Sequence, residues 1–68
     1  MALKYRMNAV GDGTRESPLH LPIPDDRVYN PTYFLDGKVE VVIRGNAKPK
    51  WDSDPGVEFL GTVMEPPA

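Results

Sequence analysis

Thr32-Tyr33-Phe34-Leu35-Asp36-Gly37-Lys38-Val39-Glu40-Val41-Val42-Ile43-Arg44 reads as a β-hairpin, and this stretch decides the fold. Asp36-Gly37 is a favoured two-residue type I′ turn, because both residues tolerate the positive φ that such a turn requires. Centring the turn there pairs Leu35 with Lys38, Phe34 with Val39, Tyr33 with Glu40 and Thr32 with Val41. Side chains alternate across a strand. Phe34, Val39, Val41 and Ile43 are therefore predicted to share the core face, with Tyr33, Leu35, Lys38, Glu40, Val42 and Arg44 on the other. A four-residue loop keeps this assignment; a three-residue loop would break it.

Towards the N-terminus, residues 2–10 alternate in the same way. Leu3, Tyr5, Met7 and Ala9 fall on one side and Lys4, Arg6 and Asn8 on the other, the period of a half-buried strand. Gly11-Asp12-Gly13-Thr14 ends that strand in a turn. The segment Ser17-Pro18-Leu19-His20-Leu21-Pro22-Ile23-Pro24 alternates apolar residues with prolines and His20. Proline donates no backbone hydrogen bond, so this segment is predicted to be an edge strand at best and otherwise a polyproline-like arm. Its apolar side needs cover, either from the chain's own sheet or from a partner. Asp25-Asp26-Arg27 reads as a turn, followed by Val28-Tyr29 and the breaker Asn30-Pro31.

Towards the C-terminus, residues 45–56 form a polar connector holding Trp51, with a short edge strand expected near 48–52. Asp54-Pro55-Gly56 is a tight turn with Pro in its second position and Gly in its third. A last strand spans 57–64, where Val57, Phe59 and Val63 are predicted to point inward past a bulge at Gly61.

Eight of the 68 residues are proline, over twice the usual share of roughly 5%. They leave only 1–17, 32–48 and 56–65 free for regular structure, which rules out a helical bundle. The expected fold is all-β: one small domain over 1–68, an antiparallel sheet or open barrel of four to five strands. An extended Pro-rich arm at 17–31 and a tail at 65–68 complete it. The predicted inward set is Leu3, Tyr5, Met7, Phe34, Val39, Val41, Ile43, Val57, Phe59 and Val63.

So short a chain buries only about 60% of its unfolded surface. Small domains compensate with disulfides, a metal or a partner. Cysteine is absent and His20 is the only imidazole, so association is the compensation this composition leaves. No cofactor is expected. Net charge is −2 with both signs interspersed, unlike the basic stripe of a nucleic-acid binder. No apolar run approaches the roughly 20 residues of a membrane span, and the opening residues lack the apolar segment of a signal peptide. The expected partners are thus proteins or further copies of the chain, with neither nucleic acid nor membrane.

Few residues suit catalysis. A triad built on His20 would need Ser17 and Asp25 or Asp26 brought together, and an extended chain spreads them apart. Asp52-Ser53-Asp54 starts like a calcium loop, but Gly56 falls one place early and position twelve is Val63 rather than Glu. An enzyme is the least favoured reading. Trp51, flanked by Lys48 and Lys50, suits either the end of a small core or an interface, and a stacked base or sugar is the third option. Leu19, Leu21, Ile23, Val28, Tyr29, Tyr33, Leu35 and Trp51 are the candidate partner-binding residues.

The opening strand, Gly11-Asp12-Gly13-Thr14, and then Ser17-Pro18 leading into a Pro-rich stretch resemble the start of short virion-module proteins of tailed bacteriophages. The likeness covers the first third of the chain. Leu19-His20-Leu21 departs from it, standing where a shorter and more polar link is usual. It implies a particle-associated structural role as a minor capsid, decoration or tail-associated protein, located in the virion and otherwise cytoplasmic. It brings no catalytic residues with it. The alternative is a small inhibitor or accessory subunit on a soluble host enzyme, and a third is a ligand-binding barrel reading its ligand through Trp51.

Overall fold

The computed structural model describes residues 1–23 and 27–65. Asp25 and Asp26 of the expected turn, and Pro66, Pro67 and Ala68 of the tail, lie outside the described residues. Four strands form one open antiparallel sheet: β1 (Ala2–Asn8), β2 (Thr32–Tyr33), β3 (Lys38–Ile43) and β4 (Glu58–Val63), in the order β2-β3-β1-β4. No α-helix occurs among the described residues. The alternation in β1 and β3 does what its period dictates. Leu3 faces Ile43, Tyr5 faces Val41 and Met7 faces Val39, and all six are buried on one face.

Charge occupies the opposite face. Lys4 and Arg6 of β1 reach Glu40 of β3 at 3.2 and 3.9 Å, and Arg6 also reaches Glu58 of β4 at 3.1 Å. Such exposed pairs are each worth about 1 kcal/mol or less. Together they hold the long side chains over the sheet and keep that face solvated.

The hairpin differs from its predicted register by one residue. Phe34, not Leu35, pairs with Lys38: Phe34 N–H donates to the Lys38 carbonyl at 2.9 Å, and Gly37 N–H donates to the Phe34 carbonyl at 3.1 Å. The loop is therefore the three residues Leu35, Asp36 and Gly37, and Gly37 takes the positive φ of 88° at its end. The Asp36 carboxylate accepts the Lys38 N–H at 2.9 Å, which favours this loop over the two-residue turn. One slipped residue reverses the first strand. Tyr33 now faces Val39 and Thr32 faces Glu40, while Phe34 leaves the core and is 41% exposed.

Two other expectations are corrected. Residues 50–53 form a 3-10 turn rather than an edge strand; Pro49 precedes it at φ −74°, and Asp52 N–H bonds back to the Pro49 carbonyl. This turn drives the Trp51 ring into the core. In β4, the register shifts opposite Lys4 and Tyr5, leaving Leu60 as an extra residue. Phe59 thus stays on the Tyr5 side, whereas Val63 falls opposite Ala2 on the other face, not inward as expected. Phe59 is itself 43% exposed because β4 is an edge.

Of the Pro-rich stretch, Pro24 lies outside the described residues, and the described part packs on the chain's own fold. Val10 and His20 exchange backbone hydrogen bonds at 2.9 Å, and Leu21, Ile23 and Val28 pack against the core. Val28 then pairs with Ile43, and Tyr29 N–H reaches the Val42 carbonyl. Residues 28–33 thus run along β3, with one extra residue near Asn30-Pro31 breaking the ladder. Both edges of the sheet are therefore interrupted: one by this proline and its bulge, the other by the Leu60 bulge. These are the devices that discourage strand addition by another chain.

Candidate functional site

Three places concentrate unusual side chains. The first is the floor of the core. Tyr5 is fully buried, and its hydroxyl donates to the Asp52 carboxylate across the gap between β1 and the 3-10 turn. Trp51 stands edge-on to the Tyr5 ring with centroids 4.8 Å apart, and the Phe59 ring lies 5.2 Å from Tyr5. Lys48 sits above the Phe59 ring at 5.3 Å. Burial, reinforced by the hydrogen bond to Asp52, pushes the Tyr5 hydroxyl well above the ordinary tyrosine range. A neutral, buried phenol tied to a carboxylate pins the connector to the sheet. Asp52 is committed to that task, which separates it from Asp54 on the surface.

The second place is the loop after β1. Asp12 accepts both the backbone N–H and the hydroxyl of Thr14, at 3.0 and 2.7 Å, and the Thr14 hydroxyl accepts the Ser17 N–H at 3.2 Å. The bonds from Thr14 favour the charged carboxylate and hold the Asp12 pKa below its usual value. Gly11 has φ +99°, and a Cβ there would stand 2.3 Å from the Pro18 carbonyl oxygen. His20 is exposed, with Nδ1 3.0 Å from the same carbonyl. A carbonyl only accepts, so Nδ1 is the donor in this contact. Among the described residues, no three His, Asp or Glu side chains gather into a group that could hold a metal ion. No described helix is long and apolar enough to cross a membrane.

The third place is the β2–β3 hairpin tip. Tyr33, Phe34 and Leu35 follow one another in sequence with 38%, 41% and 110% exposure. The tip is held by the loop bonds described above, and Ala9 N–H donates to the Gly37 carbonyl at 2.8 Å, tying it to the end of β1. Beside it opens a cleft of about 320 Å³ between the end of β1, the Pro22-Ile23 segment and the Asp54–Val57 turn.

Of the residues singled out in the sequence, Leu21, Ile23, Val28 and Trp51 pack into the chain's own core, Tyr29 is half-buried, and Leu19, Tyr33 and Leu35 stay exposed. Sequence reasoning misses Phe34 and the cleft. The signal for Phe34 is Asp36, whose side chain selects the three-residue loop. No family model matches the chain, and no curated protein or solved structure proves similar to it.

Proposed function

We propose that this chain is a non-enzymatic assembly protein, and that the Tyr33-Phe34-Leu35 tip is the element by which it docks on a neighbouring protein. The observation that carries this reading is Leu35, fully exposed on a hydrogen-bonded turn, with Tyr33 and Phe34 partly exposed on the two faces of the strand that leads into it. A monomer gains nothing by displaying them, and a pre-ordered tip loses little entropy on docking. The charged sheet face is already self-paired and both sheet edges are interrupted, so neither competes as a docking surface. The resemblance of Gly11–Thr14 and Ser17-Pro18 to virion-module proteins supports placing the assembly in a tailed-phage particle, as a minor capsid, decoration or tail-associated protein.

The test is to purify particles from a native source producing either the wild-type chain or Leu35→Asp. The wild type should band with the particle in a fixed, many-fold stoichiometry, and Leu35→Asp should stay in the soluble fraction while remaining folded. Recovery of the wild type one-to-one with a soluble enzyme would replace this reading with that of an inhibitor or accessory subunit.

A further inference from the structure

Tyr5 carries an ionisable hydroxyl on a side chain with no exposed surface, and the assembly role makes no use of it. Three groups meet there. The Tyr5 hydroxyl donates to the Asp52 carboxylate, and the Tyr5 ring lies edge-on to Trp51 with centroids 4.8 Å apart. The 3-10 turn over Lys50–Ser53 brings the neighbours Trp51 and Asp52 to Tyr5 together. Indole and phenol both give up a single electron to strong oxidants. A phenol that loses one becomes a far stronger acid than any carboxylic acid, so its oxidation is helped by a base within hydrogen-bond reach of its proton. Asp52 is that base. We infer that Trp51, Tyr5 and Asp52 form a relay for one-electron oxidation: oxidised Trp51 takes an electron from Tyr5, whose proton passes to Asp52. The relay is separate from the docking role and does not depend on it.

The co-reactant is a diffusing one-electron oxidant, such as a small inorganic radical. It removes one electron from Trp51 and leaves the indole radical cation. One electron then crosses from the Tyr5 ring to Trp51 and restores the indole. The Tyr5 O–H bond breaks, and its proton joins an Asp52 oxygen along the existing hydrogen bond. A neutral phenoxyl radical and a neutral carboxyl group result, so the three groups carry no net charge before or after the transfer. The order of events follows from exposure. Tyr5 has no surface for an oxidant to meet, whereas Trp51 keeps 8% of its surface open. Burial and the bond to Asp52 hold Tyr5 as the neutral phenol well above its ordinary range, so the proton is still in place when the electron leaves. The Phe59 ring, on the same core residue at 5.2 Å, is much harder to oxidise, so the oxidation stops at Tyr5. The burial that shields Tyr5 from the oxidant also keeps its radical from coupling with another chain.

The experiment is pulse radiolysis of the purified full chain with azide radicals as the oxidant. Trp51 is the only tryptophan, so the indole radical band reports a single site. Its decay should match the rise of the phenoxyl band, at a rate independent of protein concentration and slower in D2O than in H2O. Tyr5→Phe should abolish this phase although Tyr29 and Tyr33 remain. Asp52→Asn keeps a hydrogen-bond acceptor beside Tyr5 but is too weak a base, and should slow the transfer by roughly 10-fold or more. Far-ultraviolet dichroism checks that both variants fold, and the concentration series and the D2O comparison need no variant at all. An indole radical as long-lived in the wild type as in Tyr5→Phe would overturn the inference. So would a transfer that quickens with protein concentration, or one indifferent to both Asp52→Asn and D2O.

Discussion

Replacing Tyr5 by Phe removes one oxygen atom from the centre of the core and keeps the ring. The hydroxyl donates to Asp52, and a hydrogen bond to a charged group contributes about 1.5–3 kcal/mol. Asp52 is only half-buried, so water can reach one side of its carboxylate after the change. The lower end of the range therefore applies, about 1.5 kcal/mol. For a domain of this length about 1 kcal/mol moves the melting temperature by 4–8 °C, so a fall of about 6–12 °C is expected. Trp51 is the only tryptophan, is buried, and packs edge-on against Tyr5, which makes its fluorescence a direct reporter of the same contact. Urea unfolding of the wild type, Tyr5→Phe, Asp52→Ala and the double variant, at one protein concentration, isolates the pairwise coupling. The pH dependence adds a second reading. The folded Tyr5 ionises above its ordinary value of 10.0, so the unfolded state gives up its proton first. The stability Tyr5 contributes is complete below pH 10 and is lost as pH rises through the folded value. The wild type should lose stability more steeply than Tyr5→Phe above pH 10 and run parallel to it below. Additive single variants, or a Tyr5→Phe loss under about 0.5 kcal/mol, would refute the argument that this bond pins the connector.

Gly11→Ala should be among the most damaging single-methyl changes in the chain, since its Cβ would meet the Pro18 backbone and the residue has a positive φ. Accelerated amide exchange at Val10 and His20 would register it. Trp51→Ala opens a cavity beside Tyr5 and should cost about 3–5 kcal/mol, measured by chemical denaturation followed by far-ultraviolet dichroism. Asp12→Asn should remove an acid-side loss of loop order. With the folded pKa lowered, the Asp12 contribution is present above the ordinary carboxylate value and fades as pH falls through the folded one. Amide exchange of Thr14 and Ser17 in acid compares the two proteins. Gly37→Ala forces a side chain into the positive φ that closes the hairpin loop and should cost about 1 kcal/mol, read by thermal melting.

Period-two alternation in 2–8 and 38–43 is enough, from sequence, to place Leu3, Tyr5, Met7, Val39, Val41 and Ile43 on one buried face. Alternation is a local property of an extended chain, and burial follows it wherever only one face is covered. The Asp54-Pro55-Gly56 turn is legible for a similar reason, because proline and glycine carry their dihedral preferences with them, and Val57 N–H does close onto the Asp54 carbonyl. Which loop joins Phe34 to Lys38 is decided in three dimensions. Two loop lengths share the letters Asp-Gly, and the bonds from Lys38 to Asp36 and from Ala9 to Gly37 choose between them. That choice turns Phe34 outward and creates the tip. Trp51 and the Pro-rich stretch likewise find their places only when the sheet offers a surface. Their local sequence says that they must be extended or turned, while the apolar area they cover belongs to strands distant along the chain. The cleft has no signature along the chain at all, because its walls meet only when three separate segments pack at one end of the sheet.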